Sequence, residues 1–384
     1  MPIVQNLIKQ INSIIPKSEK ELVLFDSMLY PDNIYTILNS YLTNKQKIKH
    51  FARITVFTAS PEHYEKFNVE CLNYPSIKAL LRIMNAKYII TDMVFGDNYI
   101  NPKSQIVIDV WHGVGLKKIL GYTDECINRT RPFAKYTMSY SSFFNDVIAR
   151  AFLVDHKNVI TSGSPRNDMF YYKKREILDE LIPGLSLSQK VFIWMPTYRQ
   201  STKAYSNNDG KRYEYGIPLI NRDNIQELDS TLKRFNAFLI IKHHVLQDKQ
   251  NQLTEKLTNI RIITSNDIKK TDKGLYEFIG QCDALITDYS SIYFEFMSLN
   301  KPICFAYDDL EEYNSKRGFM FENVEEIMPG CHSKTIGQLV QFIVDICQDN
   351  DKYKSCREDA ISKMHLYNDN HNCERLLKAI GFIK

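Results

Sequence analysis

Asp283-Ala284-Leu285-Ile286-Thr287-Asp288-Tyr289-Ser290-Ser291-Ile292-Tyr293-Phe294-Glu295-Phe296-Met297 is the stretch that decides the fold. Ala284 to Ile286 form a short apolar run that reads as a buried parallel strand, and an amphipathic run from Ile292 reads as a helix. Only Thr287 to Ser291 remain to turn the chain between them. A polar loop there lies at the carboxyl end of a strand, where open α/β sheets place ligands and where helix-start N–H groups point outward. Hydroxyls of Thr287, Ser290 and Ser291 can donate to phosphate oxygens. Asp288 is the odd member, since a carboxylate repels phosphate unless it meets a hydroxyl, a cation or a backbone donor. Helix capping by Asp288 or Ser291 is the plainer alternative.

Further strand-like runs flank this unit. Leu22–Phe25, Ile54–Thr58, Lys87–Thr91, Ile106–Val110, Tyr136–Tyr140 and Asn158–Thr161 precede the Pro183-Gly184 pair. Val191–Met195, Ala237–Ile241, Ile260–Thr264 and Pro302–Ala306 follow it. Helical patterns lie between them, notably Asn33–Leu42 and Ile77–Met84, and Pro165 can open a helix running toward Leu181. Alternating strands and helices imply parallel sheets. A chain of 384 residues exceeds one ordinary core, so two domains are expected, with the boundary at 183/184. Residues 1–183 form the first, 184–345 the second, and helices over 346–384 are placed so that they can cross back to the first. Gln200–Tyr215 reads as a long loop.

Composition narrows the function classes. A net charge of +4 is too small and too dispersed for a nucleic-acid binder. The eight cysteines are scattered without a C-x-x-C pair, which fits reduced thiols rather than a disulfide framework or a zinc site. No carboxylate cluster resembles a Mg²⁺ site, and no cofactor is called for. No apolar run is long enough to span a membrane, which gives the expectation of a chain that stays on the cytoplasmic side. Ile3, Val4, Leu7, Ile8, Ile11, Ile14 and Ile15 recur at helical spacing, and the expected fate of this stripe is packing on the first domain. Lying in a membrane interface, helped by Lys9, Lys17 and Lys20, is the alternative.

Two stretches at strand ends carry chemistry. Trp111-His112-Gly113 follows the fourth run, and a histidine there, with glycines that let the backbone approach closely, is placed for a ligand. Lys242-His243-His244 follows Ala237–Ile241, and adjacent histidines on a continuing strand point to opposite faces, so one of them at most meets the ligand.

Together with Leu22-Val23-Leu24-Phe25-Asp26-Ser27, Ala86-Lys87-Tyr88-Ile89-Ile90, Leu116-Lys117-Lys118, Gly163-Ser164-Pro165-Arg166-Asn167-Asp168, Pro196-Thr197-Tyr198-Arg199, Thr287-Asp288-Tyr289-Ser290-Ser291 and Arg317-Gly318-Phe319, these fragments resemble the CDP-glycerol:poly(glycerophosphate) glycerophosphotransferase family, in the family's order over roughly residues 20 to 330. Two positions depart from its pattern. Val114-Gly115 replaces Thr-Pro after Trp111-His112-Gly113, and Val245 replaces the proline after His244.

The resemblance implies an α/β GT-B fold, two Rossmann-like domains facing across a cleft. It also implies transfer of a polyol phosphate, glycerol phosphate foremost, from a CDP-linked donor (CDP-glycerol or another CDP-polyol) to a polyprenyl-linked glycan acceptor, with release of CMP, in teichoic acid synthesis at the inner face of the cell membrane. His112 is then the general base, since imidazole with an ordinary pKa near 6.5 takes a proton at neutral pH. His244 joins it in catalysis at the pyrophosphate. The donor is expected against Gly113, Arg166, Thr197, Arg199, Lys242, Thr287, Asp288, Ser290, Ser291 and Arg317, with Asp288 either meeting polyol hydroxyls or orienting a histidine. A CDP-ribitol-dependent synthase, a nucleotide-sugar glycosyltransferase releasing a nucleoside diphosphate, and a non-catalytic module binding polyanionic lipid intermediates are the other readings. Because the first strand begins by Leu22, length favours adding a single unit over polymerising.

Overall fold

The computed structural model describes all residues except 1, 95–99, 114, 127, 173–175, 187, 198, 200–209, 244–255 and 272, and omits the side chains of 2–6, 9 and 176. Thirteen strands are found among the described residues: β1 Ser18–Phe25, β2 Arg53–Phe57, β3 Glu70–Leu72, β4 Ala86–Thr91, β5 Ile106–Asp109, β6 Tyr136–Ser139, β7 Val159–Thr161, β8 Lys190–Met195, β9 Ala237–Lys242, β10 Ile260–Ile263, β11 Ala284–Thr287, β12 Ile303–Ala306 and β13 Cys331–Ser333. They form two wholly parallel sheets, ordered β3-β2-β1-β4-β5-β6-β7 and β10-β9-β8-β11-β12-β13. Each sheet starts at its centre, winds one way and then reverses. The crevice between β1 and β4, and that between β8 and β11, is therefore where such sheets hold ligands. Two strands, β3 and β13, lie outside the expected set. Both are three-residue edge strands without an apolar run, so neither carries the signal of a buried strand.

The strands of both sheets are apolar because helices or the other domain cover both faces. One buried cluster runs from Leu22, Leu24 and Ile108 in the first domain to Leu285, Tyr293 and Phe294 in the second, so the domains share a core. Separate clusters cover the outer faces, around Phe192 and Trp194 in one domain and Val23 and Ile89 in the other.

Helices Lys354–Met364 and Asn372–Ala379 return to the first domain. Asp168 accepts from the backbone N–H of Asn372 and of Cys373, both at 2.9 Å, which satisfies two of the orphan donors at the start of the last helix. At Gly163, with φ +76°, an added Cβ would stand 2.0 Å from Asn372 Oδ1, so only glycine allows this docking. Phe382 then packs on Phe51, Tyr88 and Tyr41 at 5.0, 5.2 and 6.3 Å between ring centroids.

Three expectations need correction. The segment after Pro165 is not one helix: a 3₁₀ turn covers Pro165–Tyr171 and an α-helix Glu176–Leu181. Arg166, Asn167, Met169 and Phe170 of the first part are all buried. Helix Ile292–Met297 is likewise buried on every side, because the first domain covers the face expected to meet solvent.

The third concerns the N-terminal helix Pro2–Ile14: among the described residues of its stripe, Ile8 and Ile15 are half-buried, but Leu7, Ile11 and Ile14 are 54%, 40% and 79% exposed. The helix is held by polar contacts instead, Asn12 Nδ2 donating to Gln105 Oε1 at 3.1 Å and Lys17 Nζ to the Met84 carbonyl at 2.5 Å. Those contacts leave Leu7, Ile11 and Ile14 facing outward.

Candidate active site

His112 follows β5 through a turn that several neighbours hold. Trp111 is left-handed, at φ +49°, a conformation uncommon for a bulky residue. Its N–H donates to Asp109 Oδ1 at 2.8 Å, and its carbonyl accepts from Asn33 Nδ2 at 2.8 Å. The indole stacks on the imidazole with centroids 4.0 Å apart. His112 Nδ1 lies 3.2 Å from the Asp92 carbonyl, an acceptor, so in the neutral ring the proton sits on Nδ1 and Nε2 carries the lone pair. Protein surrounds the ring, yet it stays exposed to the cleft. Desolvation pushes its pKa down, to about 4, with Arg166 and Lys117 adding repulsion. Water in the open cleft moderates the desolvation, and the direction leaves a neutral imidazole at pH 7.

Gly113, at φ +117°, brings the two domains together. A Cβ there would stand 2.6 Å from Glu295 Oε1, 2.8 Å from Arg166 Nη2 and 3.2 Å from Ser291 Oγ. The histidine loop thus touches the serine loop after β11. A second junction lies alongside, where Lys117 and Phe319 form an antiparallel bridge, Lys118 N donates to the Gly318 carbonyl at 3.1 Å and Met320 N to the Leu116 carbonyl at 2.8 Å. Two segments 200 residues apart in sequence, Leu116-Lys117-Lys118 and Arg317-Gly318-Phe319, are therefore neighbours on one cleft wall.

Several side chains expected at the donor are engaged by protein groups. Arg166 is buried: Nη2 donates to Glu295 Oε1 at 2.5 Å and to the His112 carbonyl at 2.7 Å, and Nη1 pairs with Asp32 Oδ1 at 3.3 Å. Arg199 is buried between Asp288 at 2.7 Å and Asp309 at 3.2 Å, among the rings of Tyr213, Tyr289 and Tyr313. Asp288 accepts from Arg199 and, at 2.9 Å, from Thr197 N–H. It has met a cation and a backbone donor, which answers how a carboxylate can stand in this loop. Thr287 Oγ1 donates to the Met195 carbonyl at 2.8 Å, and Lys242 Nζ to the His243 carbonyl at 3.0 Å and Ser265 Oγ at 3.3 Å.

The groups left over are instructive. Among the described residues, the hydroxyls of Ser290 and Ser291 and the half-buried guanidinium of Arg317 have no hydrogen-bond or ion-pair partner, and the Thr197 hydroxyl is buried without one. His243 is buried, and desolvation pushes its pKa down to about 4. His244, Val114, Tyr198 and most of the long loop from Gln200 lie outside the described residues. No group of His, Cys, Asp and Glu among the described residues is arranged to hold a metal ion.

Sequence reasoning passed over Asp32, Asn33, Tyr140, Glu295 and Asp309, which build this floor. Only Glu295 carried a signal, as the one charge in an apolar run. The carboxylates behind His112 are also crowded: burial pushes Asp109 up to about 7, and burial with the neighbouring charges of Asp26 and Asp32 pushes Asp92 well above its ordinary value.

Residues 7–381 match the CDP-Glycerol:Poly(glycerophosphate) glycerophosphotransferase family. The chain belongs to this family. A teichoic acid poly(glycerol phosphate) polymerase of Bacillus spizizenii is 27% identical over 88% of this chain and 87% of its own length. A teichoic acid glycerol-phosphate primase of the same organism is 26% identical over 92% and 90%. The ribitol-phosphate polymerase TarL of Staphylococcus aureus is 28% identical over 72% of this chain and 48% of its own.

The solved structure of the wall teichoic acid polymerase TagF superposes with a TM-score of 0.77 at 19% identity, over 98% of this chain and 92% of that one. The fold is therefore GT-B, two Rossmann-like domains, and this glycerophosphotransferase family member is a CDP-glycerol glycerophosphotransferase-like enzyme of polyol-phosphate transfer in teichoic acid synthesis. One expectation falls. A polymerase matched over 87% of its length shows that length does not separate single addition from polymerisation.

Proposed function

We propose that this chain transfers glycerol phosphate from CDP-glycerol to a hydroxyl of a polyprenyl-linked glycan, releasing CMP. The observation that carries the reading is a lone-pair nitrogen, His112 Nε2, on a cleft floor shared with uncommitted phosphate donors, Ser290, Ser291 and Arg317. The acceptor oxygen forms a bond to the glycerol-bearing phosphorus, its proton passes to Nε2, and the phosphoanhydride bond to CMP breaks with its electron pair on the departing phosphate. Hydrogen bonds from the serines and Arg317 strengthen as that charge grows. Arg166, Arg199 and Asp288 shape the walls instead of binding the donor directly, and His244 is assigned to the pyrophosphate by its place in the family pattern.

The lipid-linked acceptor is met from the side. No helix among the described residues is long and apolar enough to cross a membrane. Leu7, Ile11 and Ile14 are exposed, and Ile77 and Leu81, 80% and 51% exposed, stand on helix Ile77–Asn85, whose Met84 carbonyl holds Lys17. Exposed apolar side chains on these two helices suit the headgroup boundary of an anionic bilayer.

Incubation with CDP-glycerol, CDP-ribitol and nucleotide sugars, with a lipid-linked disaccharide acceptor, tests the reading. CMP released from CDP-glycerol, with mass increments of glycerol phosphate on the acceptor, is the expected result. Release of a nucleoside diphosphate, or turnover with CDP-ribitol alone, would replace it.

A further inference from the structure

We propose that Glu295 is a positioning residue, setting the distance between His112 and the donor phosphates across the domain interface through Arg166. The inference rests on His112 being the base. Glu295 stands four residues after Ser291, on the helix that the serine loop opens, and its carboxylate is wholly buried at the first domain. Its Oε1 accepts from Arg166 Nη2 at 2.5 Å and from Tyr140 O–H at 2.7 Å, both groups of the first domain. The same Nη2 donates to the His112 carbonyl at 2.7 Å. One nitrogen therefore links the backbone of the base to the helix that carries the donor loop.

Asp32 takes the other arm of the guanidinium at 3.3 Å, the Arg166 N–H donates to Asn33 Oδ1 at 3.0 Å, and Asn33 holds the Trp111 carbonyl. The arginine is thus fixed from its own domain; on the other side the ring of Tyr276 lies 4.5 Å from the guanidinium, and Glu295 supplies the charged tie. Gly113 fills the remaining gap, with room for no Cβ. None of these groups opens toward the cleft as a donor ligand would need, and a misplacement of about 1 Å in a reacting pair is enough to cost about 100-fold in rate.

The experiment is a double-mutant cycle on the full chain with Glu295→Gln, His112→Ala and the pair, reading kcat and, separately, the Kd of CDP-glycerol. Gln keeps an acceptor for Tyr140 and the side-chain size, and a thermal melt confirms folding. Expected are a kcat about 10-fold or more below wild type in Glu295→Gln, a donor Kd within about twofold, and no further loss when Glu295→Gln is added to His112→Ala. An unchanged kcat, a parallel loss of donor affinity, or losses that multiply in the double variant would overturn the positioning role. Near wild-type turnover of His112→Ala would instead remove the base on which it depends.

Discussion

Among the described ionisable groups of the cleft, His112 and Arg317 have atoms left for a ligand. His112→Ala should lower turnover by about 10²–10⁴-fold while CDP-glycerol still binds, as isothermal titration would show. The base works as neutral imidazole and is lost when protonated. With its pKa pushed below 6.5, the acid limb of kcat/KM for the free enzyme should fall below pH 6.5. A limb above pH 6.5 would place a different group in the role.

The two arginines of the second domain should separate cleanly. Arg317→Ala leaves stability within about 0.5 kcal/mol and weakens donor binding by about 10–100-fold, the worth of a charge-assisted hydrogen bond. Arg199→Ala strands Asp288 and Asp309 in the interior and should cost about 3–5 kcal/mol in denaturant unfolding. Residue types and their order pointed to the loops that the fold brings together in the candidate site. Which arginine is left without a protein partner and which faces two carboxylates was not legible, because the partners, such as Asp309 for Arg199 and Glu295 for Arg166, come from distant segments with no motif of their own.

At the scale of elements, strands with an apolar run were legible and edge strands were not. Ala284–Thr287 and Lys190–Met195 show themselves because both faces are covered, whereas Glu70–Leu72 and Cys331–Ser333 are placed by pairing with one neighbour. The two domains also repeat one device that no local pattern reveals. Asp92 after β4 accepts from Ser27 N–H after β1, and Asp288 after β11 accepts from Thr197 N–H after β8, so each crevice is closed by a carboxylate reaching across to a backbone donor. The N-terminal helix shows the limit of periodicity, since an apolar stripe has the same spacing whether it faces a core or a membrane. The exposure of Leu7, Ile11 and Ile14 is what the spacing could not show. Deleting residues 1–16 should release the protein from anionic liposomes in a sedimentation assay and leave activity on a soluble acceptor analogue intact. Retention on the liposomes would show that another surface carries the contact, and unfolding of the truncated chain would show that the stripe is needed for the core.

For the whole molecule, the question is whether two sheets mean two independently folding units. The apolar cluster continues from Leu22 and Tyr140 to Tyr293 and Phe294, and His365 and Arg166 reach from one unit into the other, His365 Nε2 meeting the Phe294 carbonyl at 2.6 Å. Chain order strengthens the tie, because the last helix sits on Asp168 and Lys384 N–H donates to the Gln46 carbonyl at 2.9 Å after the second sheet is complete. Separating the domains would uncover that shared core and break the Glu295–Arg166 pair, a loss of several kcal/mol that opposes either unit opening alone. Calorimetry should therefore show one transition with equal calorimetric and van't Hoff enthalpies, despite a length at which separate transitions are common. Two resolved transitions would mean that the interface melts before either sheet, and the cleft would then be a joint that moves on binding instead of one already built to receive its donor.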